Sequence, residues 1–212
     1  MTTANQEISV RSIGVVGAGQ MGGGIAQVAA DKGLSVVLVD INQQVAEKGK
    51  GKIAASLEKL VQKGKVTAES RDALLSRISA AGEYGALSSC DFVVEAATEN
   101  QELKRKIFAD IDRAIGDHTI LASNTSSISI TLLAAQSKRP ERVVGMHFMN
   151  PVPVMKLVEL IRGLQTSEET YRATVALAVA MGKEVVTARD VPGFIVNRLL
   201  IPFLNEACFA LA

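Results

Sequence analysis

Three glycines, Gly17, Gly19 and Gly22, follow directly on the apolar, β-branched run Ile8 to Val16 and open an alanine-rich helical pattern, Ile25–Ala30. That pattern stops at Lys32-Gly33, and the apolar run Val36–Val39 then ends on Asp40. Strand, glycine turn, helix and strand in this order make a βαβ unit, and its continuously apolar strands suit a parallel sheet covered on both faces. In the spacing Gly-x-Gly-x-x-Gly the first glycine makes a tight turn, the second lets a pyrophosphate approach closely, and the third lets helix and sheet pack closely. The helix then offers free N–H groups to phosphates. A glycine loop can also be a turn and nothing more. Asp40 weighs against that alternative, because an acid closing the second strand is placed to meet adenosine ribose hydroxyls. Its charge would repel a 2′-phosphate, so the expected cofactor is NAD rather than NADP.

The rest of the chain keeps the βα rhythm. Residues 41–64 read as one long amphipathic helix with Val45, Ile53, Leu57 and Leu60 at helical spacing among charged residues. A shorter helix over Ala68–Leu75 follows, with Ile78 in a strand. Strands are expected at Phe92–Glu95, Ile120–Ala122, Val143–His147, Lys156–Ile161 and Glu184–Val186, and helices at Leu103–Ile115, Ile128–Ala135 and Thr170–Met181. The fold class is α/β: a Rossmann-type, doubly wound, mostly parallel sheet with a long helical excursion after the second strand. Two further segments at carboxyl ends of strands, Ala96–Glu99 and Ser123–Ser127, including Asn124, are expected to reach the cofactor. Glu99 could equally cap the helix that follows it.

Composition excludes several classes. With 23 basic and 22 acidic residues, the chain has no positive excess to drive nucleic-acid binding. No stretch reaches the roughly 18 apolar residues of a membrane span. The N-terminus lacks a signal peptide pattern. Two cysteines, Cys90 and Cys208, argue against a disulfide framework. The expectation is a cytoplasmic protein with no membrane partner.

Candidates for chemistry are few. Of the two histidines, His118 reads as an exposed loop residue, whereas His147 ends a strand and so reaches the functional edge of the sheet. Glu159 lies in the apolar run Leu157–Ile161, and a buried acid requires a partner. That partner is His147 if the pair is catalytic, or Lys156 or Arg162 if it is structural. A histidine held by a carboxylate can take a proton from an alcohol. No metal-ligand spacing occurs, so a zinc-dependent mechanism is disfavoured and no metal is expected.

Five segments together resemble the 3-hydroxyacyl-CoA dehydrogenase family, closest to its bacterial 3-hydroxybutyryl-CoA branch, over residues 8–212. They are Ile13–Gly22, Glu95-Ala-Ala-Thr-Glu-Asn100, Ala122-Ser-Asn-Thr-Ser-Ser127, His147-Phe-Met-Asn-Pro-Val-Pro153 and Asp190-Val-Pro-Gly-Phe-Ile-Val-Asn-Arg198. By this resemblance His147 is the catalytic base, Glu159 orients it, and Ser126 and Asn197 bind the reacting oxygen. Gly17, Gly19, Gln20, Met21, Gly22, Asp40, Glu99, Lys104 and Asn124 are implied to contact NAD. Ser56, Lys63 and Asn150, with Ser126 and Asn197, are implied to contact an acyl-CoA such as acetoacetyl-CoA or 3-hydroxybutyryl-CoA. Lys63 has an alternative reading as part of a solvated helix face.

The resemblance also divides the chain, with residues 1–190 as the NAD-binding domain and 191–212 as the start of an all-helical substrate and dimerisation domain cut short. Pro192 is expected in the first turn of a helix running to Leu211, apolar on several sides and therefore built to be buried. We expect it to pack on another copy of the chain, giving a homo-oligomer. Two rivals stand beside this reading: a β-hydroxyacid dehydrogenase of the 6-phosphogluconate or 3-hydroxyisobutyrate type, expected to use a lysine base, and a non-catalytic NAD-binding module.

Overall fold

A computed structural model describes residues 10–211 of the chain. An eight-stranded sheet forms its centre, in the order β3-β2-β1-β4-β5-β6-β7-β8. The strands are β1 (Ser12–Val16), β2 (Ser35–Val39), β3 (Ile78–Ala81), β4 (Phe92–Glu95), β5 (Ile120–Ser123), β6 (Val143–Phe148), β7 (Leu157–Arg162) and β8 (Glu184–Arg189). The helices are α1 (Gln20–Asp31), α2 (Gln43–Gln62), α3 (Ala68–Ser76), α4 (Gln101–Ala114), α5 (Ile130–Ala134), α6 (Glu168–Ala180) and α7 (Val196–Leu211). All expected strands and helices are present, with boundaries shifted by a few residues. The part of the first expected strand that precedes residue 10 lies outside the described residues.

The apolar strands separate into two cores because successive side chains point to opposite faces. Phe92 and Val94 of β4, Ile120 and Ala122 of β5, and Val144 and Met146 of β6 enter the core under α1, α2 and α6. Val93, Leu121 and Val143 enter the other, under α4 and α5. Both faces are thus covered, as continuous apolar strands require.

The chain winds outward through β1, β2 and β3 and then crosses back to β4, so β1 and β4 diverge at the centre of the sheet. The crevice beyond their carboxyl ends is where ligands bind in such sheets. One pairing departs from the parallel rule: β6 and β7 run antiparallel, joined by residues 149–156. An apolar strand pattern carries no direction, so this reversal is a finding of the structure.

The last segment differs from expectation in two ways. Pro192 lies in a turn and not in the helix, since Gly193 (φ 77°) and Phe194 (φ 48°) adopt left-handed backbone conformations that interrupt helix geometry. Helix α7 begins only at Val196, and none of its described residues is buried within this chain.

Candidate active site

The glycine turn is built by close approach. Gly17 has φ 102°, and a Cβ there would lie 2.7 Å from the Ala96 carbonyl oxygen; at Gly22 it would lie 1.8 Å from the carbonyl oxygen of Gly17. These two positions hold the turn against β4 and α1. Gly19 is different, because nothing stands within 4 Å of a Cβ placed there. It also occupies the N-cap of α1 with no side chain capping the helix, and the first turn carries no acid. Free amides, a positive helix end and open space fit the pyrophosphate of a dinucleotide.

Asp40, at the end of β2, closes the same corner. Its Oδ2 accepts from the Ala18 amide at 2.6 Å and its Oδ1 from the Ile41 amide at 2.7 Å. The carboxylate therefore braces the glycine turn and borders the crevice at once. A cleft of about 350 Å³ runs alongside, lined by Gly19, Gln20, Lys52, Ile53, Ser56 and Asn150 among others. Gln20 and Asn150 join across it, Nε2 donating to Oδ1 at 3.0 Å. Met21 points instead toward the core beside α1. Lys63 sits exposed at the C-cap of α2, away from these lining residues, whereas Lys52 borders them.

On the far side of the crevice, β6 and β7 bring the histidine to the acid. His147 and Glu159 are register partners of the antiparallel ladder, so their side chains share a face. His147 Nδ1 lies 2.8 Å from Glu159 Oε2, and both residues are buried. The structural alternatives for Glu159 are occupied elsewhere: Lys156 faces Glu184, and Arg162 donates to Glu168. The second oxygen, Oε1, accepts from the backbone amides of Ile195 at 2.9 Å and Val196 at 3.0 Å. The carboxylate thus holds the imidazole with one oxygen and the start of α7 with the other. The Phe194 ring packs edge-on against the imidazole, centroids 5.8 Å apart.

Ser126 completes the arrangement, its Oγ 3.1 Å from His147 Nε2. Asn197 on α7 approaches the same loop, its Nδ2 donating to the Ser126 carbonyl oxygen at 3.4 Å. Glu99 does not cap α4; Asn100 does, accepting from the Leu103 amide. Glu99 instead accepts from the Thr125 hydroxyl at 2.6 Å and the Ser126 amide at 2.8 Å. Asn124 is turned inward, where its Oδ1 accepts from the Phe148 amide at 2.9 Å and ties the ends of β5 and β6 together. Lys104 lies beneath this loop. It is 1% exposed and its Nζ lies 2.7 Å from both carboxylate oxygens of Glu95. Sequence reasoning does not single out Glu95, although an acid ending the apolar run Phe92–Val94 carries the same signal that marks Glu159. Among the described residues no group of three potential metal ligands occurs, and no helix is long and apolar enough to cross a membrane.

Comparison with known proteins places this geometry. Residues 12–191 match the family described as "3-hydroxyacyl-CoA dehydrogenase, NAD binding domain". The 3-hydroxybutyryl-CoA dehydrogenase of Bradyrhizobium diazoefficiens is 48% identical over 202 residues, spanning 95% of this chain and 69% of that protein. The 3-hydroxyadipyl-CoA dehydrogenase of Escherichia coli is 44% identical, spanning 96% of this chain and 43% of that protein. The crystal structure of (S)-3-hydroxybutyryl-CoA dehydrogenase from Ralstonia eutropha superposes with a TM-score of 0.91 at 53% identity, covering 94% of this chain and 70% of that one. The domain match, the identity across nearly the whole chain and the shared fold agree that the chain belongs to the NAD-dependent 3-hydroxyacyl-CoA dehydrogenase family.

Proposed function

We propose that the chain oxidises short-chain (S)-3-hydroxyacyl-CoA, such as 3-hydroxybutyryl-CoA, to the 3-oxoacyl-CoA, and catalyses the reverse reduction of acetoacetyl-CoA. The observation that carries this reading is His147 set between two partners, Glu159 at Nδ1 and Ser126 at Nε2, on the edge of the sheet that also carries the glycine turn. Bound NAD supplies the hydride acceptor at its nicotinamide ring. The chain's own residues supply proton transfer and charge stabilisation.

A carboxylate at Nδ1 requires the proton on that nitrogen, which leaves the Nε2 lone pair free toward Ser126 and the crevice. The 3-hydroxyl proton passes to Nε2 as C3 loses hydride, so the alcohol becomes a ketone and the imidazole becomes imidazolium beside Glu159. In the reverse direction the imidazolium returns that proton to the oxygen. The Ser126 hydroxyl and the Asn197 amide are the donors for that oxygen, each of a kind worth about 3 kcal/mol in a transition state. Ser56 and Asn150 line the cleft where the acyl-CoA would lie, with Lys63 further out on α2 for its phosphates. We assign residues through 190 to the NAD-binding domain and 191–212 to the beginning of a helical substrate domain; the family match ends at residue 191 and α7 buries nothing in this chain.

The test compares NADH consumption with acetoacetyl-CoA and with a long-chain 3-oxoacyl-CoA. Faster turnover of acetoacetyl-CoA is expected. A protein that binds NADH yet turns over neither compound overturns the proposed activity, and one that prefers the long chain overturns the chain-length assignment.

A further inference from the structure

Beneath the serine loop lies a pair of opposite charges that proton transfer does not touch. Glu95 ends β4 between its register partners Val16 and Ser123 and is fully buried. Lys104 shares one face of α4 with Phe108 and Ile111, so the helix that packs its apolar stripe on the sheet carries the ammonium in with it. Glu95 is saturated. Besides Lys104, its Oε1 accepts from the Ala97 amide and its Oε2 from the Ser123 hydroxyl, each at 2.8 Å. Taking two charges out of water is costly, and apolar residues of like volume are often as stable in their place.

The contacts of this pair suggest a use. Lys104 Nζ also lies 3.7 Å from Glu99 Oε2. Glu99 is the half-exposed acid whose other oxygen holds the Thr125 hydroxyl and the Ser126 amide. Ser126 in turn sets its hydroxyl against His147 Nε2. The contacts run without a break from the centre of the sheet to the imidazole. We propose that Glu95 and Lys104 are positioning residues: Glu95 fixes the ammonium, the ammonium holds Glu99 down on the loop, and Glu99 fixes Ser126 against His147. This rests on the proposed role of His147 as the base.

Two variants of the chain test the proposal. The double substitution Glu95→Leu with Lys104→Met removes both charges together and keeps the space filled, while Glu99→Gln keeps an acceptor for Ser126 but removes the charge that faces Lys104. The readout is nitrogen–proton NMR of the imidazole rings in the free protein. The chain has only two histidines, and His118, in a distant loop, serves as the internal reference. Both variants are expected to move the His147 Nε2 signal toward that of Ser126→Ala, with the His118 signal unchanged; the double variant, which leaves the Ala97 amide and the Ser123 hydroxyl without Glu95, is expected to melt at a lower temperature and is read below that melt. In turnover assays kcat is expected to fall about 10-fold or more, with little change in KM, as for a misplaced catalytic group. A His147 signal unmoved in a folded double variant overturns the proposal, as does one unmoved in Glu99→Gln. Because the NMR experiment needs neither cofactor nor substrate, it fails or succeeds separately from the proposed activity.

Discussion

His147 and Glu159 face each other across the antiparallel β6–β7 ladder, with Nδ1 and Oε2 2.8 Å apart. The contact depends on the strand reversal, because a parallel β7 would have carried Glu159 toward the opposite end of the sheet. The same carboxylate receives the Ile195 and Val196 amides, so the orientation of the imidazole and the entry into α7 are set by one side chain.

Glu159→Gln should therefore impair two things. An amide can present its NH2 group to Nδ1, which favours the tautomer with the proton on Nε2 and removes the base. We expect kcat to fall by about 10²–10⁴-fold, the range for loss of the group that orients a catalytic histidine. The start of α7 should also loosen, which hydrogen exchange at the Ile195 and Val196 amides would register. His147→Gln removes the proton acceptor and should abolish turnover while leaving NAD affinity nearly unchanged, measured by titration of the free protein. Equal loss of NAD binding and turnover in His147→Gln would count against a role confined to the proton.

The glycine turn offers a sharper contrast. Gly19→Ala places its methyl group in open space, so the fold and melting temperature should be kept. The methyl group would occupy the place where the pyrophosphate approaches, and NAD affinity should fall at least about 10-fold. Gly22→Ala brings a Cβ within 1.8 Å of the Gly17 carbonyl oxygen, so it should lose stability and cofactor binding together. Thermal melts with and without NAD separate the two outcomes. A Gly19→Ala protein stabilised by NAD as strongly as the parent chain would remove the turn from the cofactor site.

How much of the fold and site is legible in the sequence depends on which physical signal each feature leaves. The glycine turn and Asp40 are readable because strand, turn and helix constrain one another within a short span. Glu159 is readable because an acid among Leu157, Val158, Leu160 and Ile161 must find a partner, and the strand period then places it on a face with His147. The Glu95–Lys104 pair is half readable. The acid ending an apolar strand is a signal, but its partner sits on a helix whose spacing does not say what stands across from it. The antiparallel turn at β7 leaves no mark in hydropathy, and the late start of α7 comes from two left-handed residues, one of them Phe194, where periodicity continues unbroken.

Acid stability should reflect Asp112. It is buried on α4 and desolvated there, which raises its pKa, but the Ser137 hydroxyl, the Lys138 amide and the Arg139 guanidinium outweigh that and hold the carboxyl below its ordinary value of 3.8. A depressed folded-state pKa adds stability that is fully present above the unfolded value and is lost as pH falls through the folded one. The chain should therefore lose stability as pH drops below 3.8, and Asp112→Ala should flatten that loss. At neutral pH the substitution leaves Arg139 partly unpaired and should cost about 2–4 kcal/mol by urea unfolding. An Asp112→Ala protein with the same acid profile as the parent would assign the loss to other carboxylates.

Helix α7 carries an apolar surface that nothing in this chain covers. Leu199, Phe203 and Phe209 are 69%, 71% and 68% exposed, and Ile201, Leu204 and Leu211 extend the apolar surface around the helix. Contiguous apolar surface of this kind marks an interaction site, and burying one such side chain is worth about 1.5–3 kcal/mol. A second copy of the chain presents the same helix, so pairing of two copies would cover both surfaces at once. Sedimentation velocity over a concentration series should show a dimer whose share rises with concentration. Phe203→Lys with Phe209→Lys should shift it to monomer without moving the melting temperature of the sheet domain, because no residue of α7 is buried there. A parent chain that stays monomeric at the highest concentration would mean that α7 does not pair with itself.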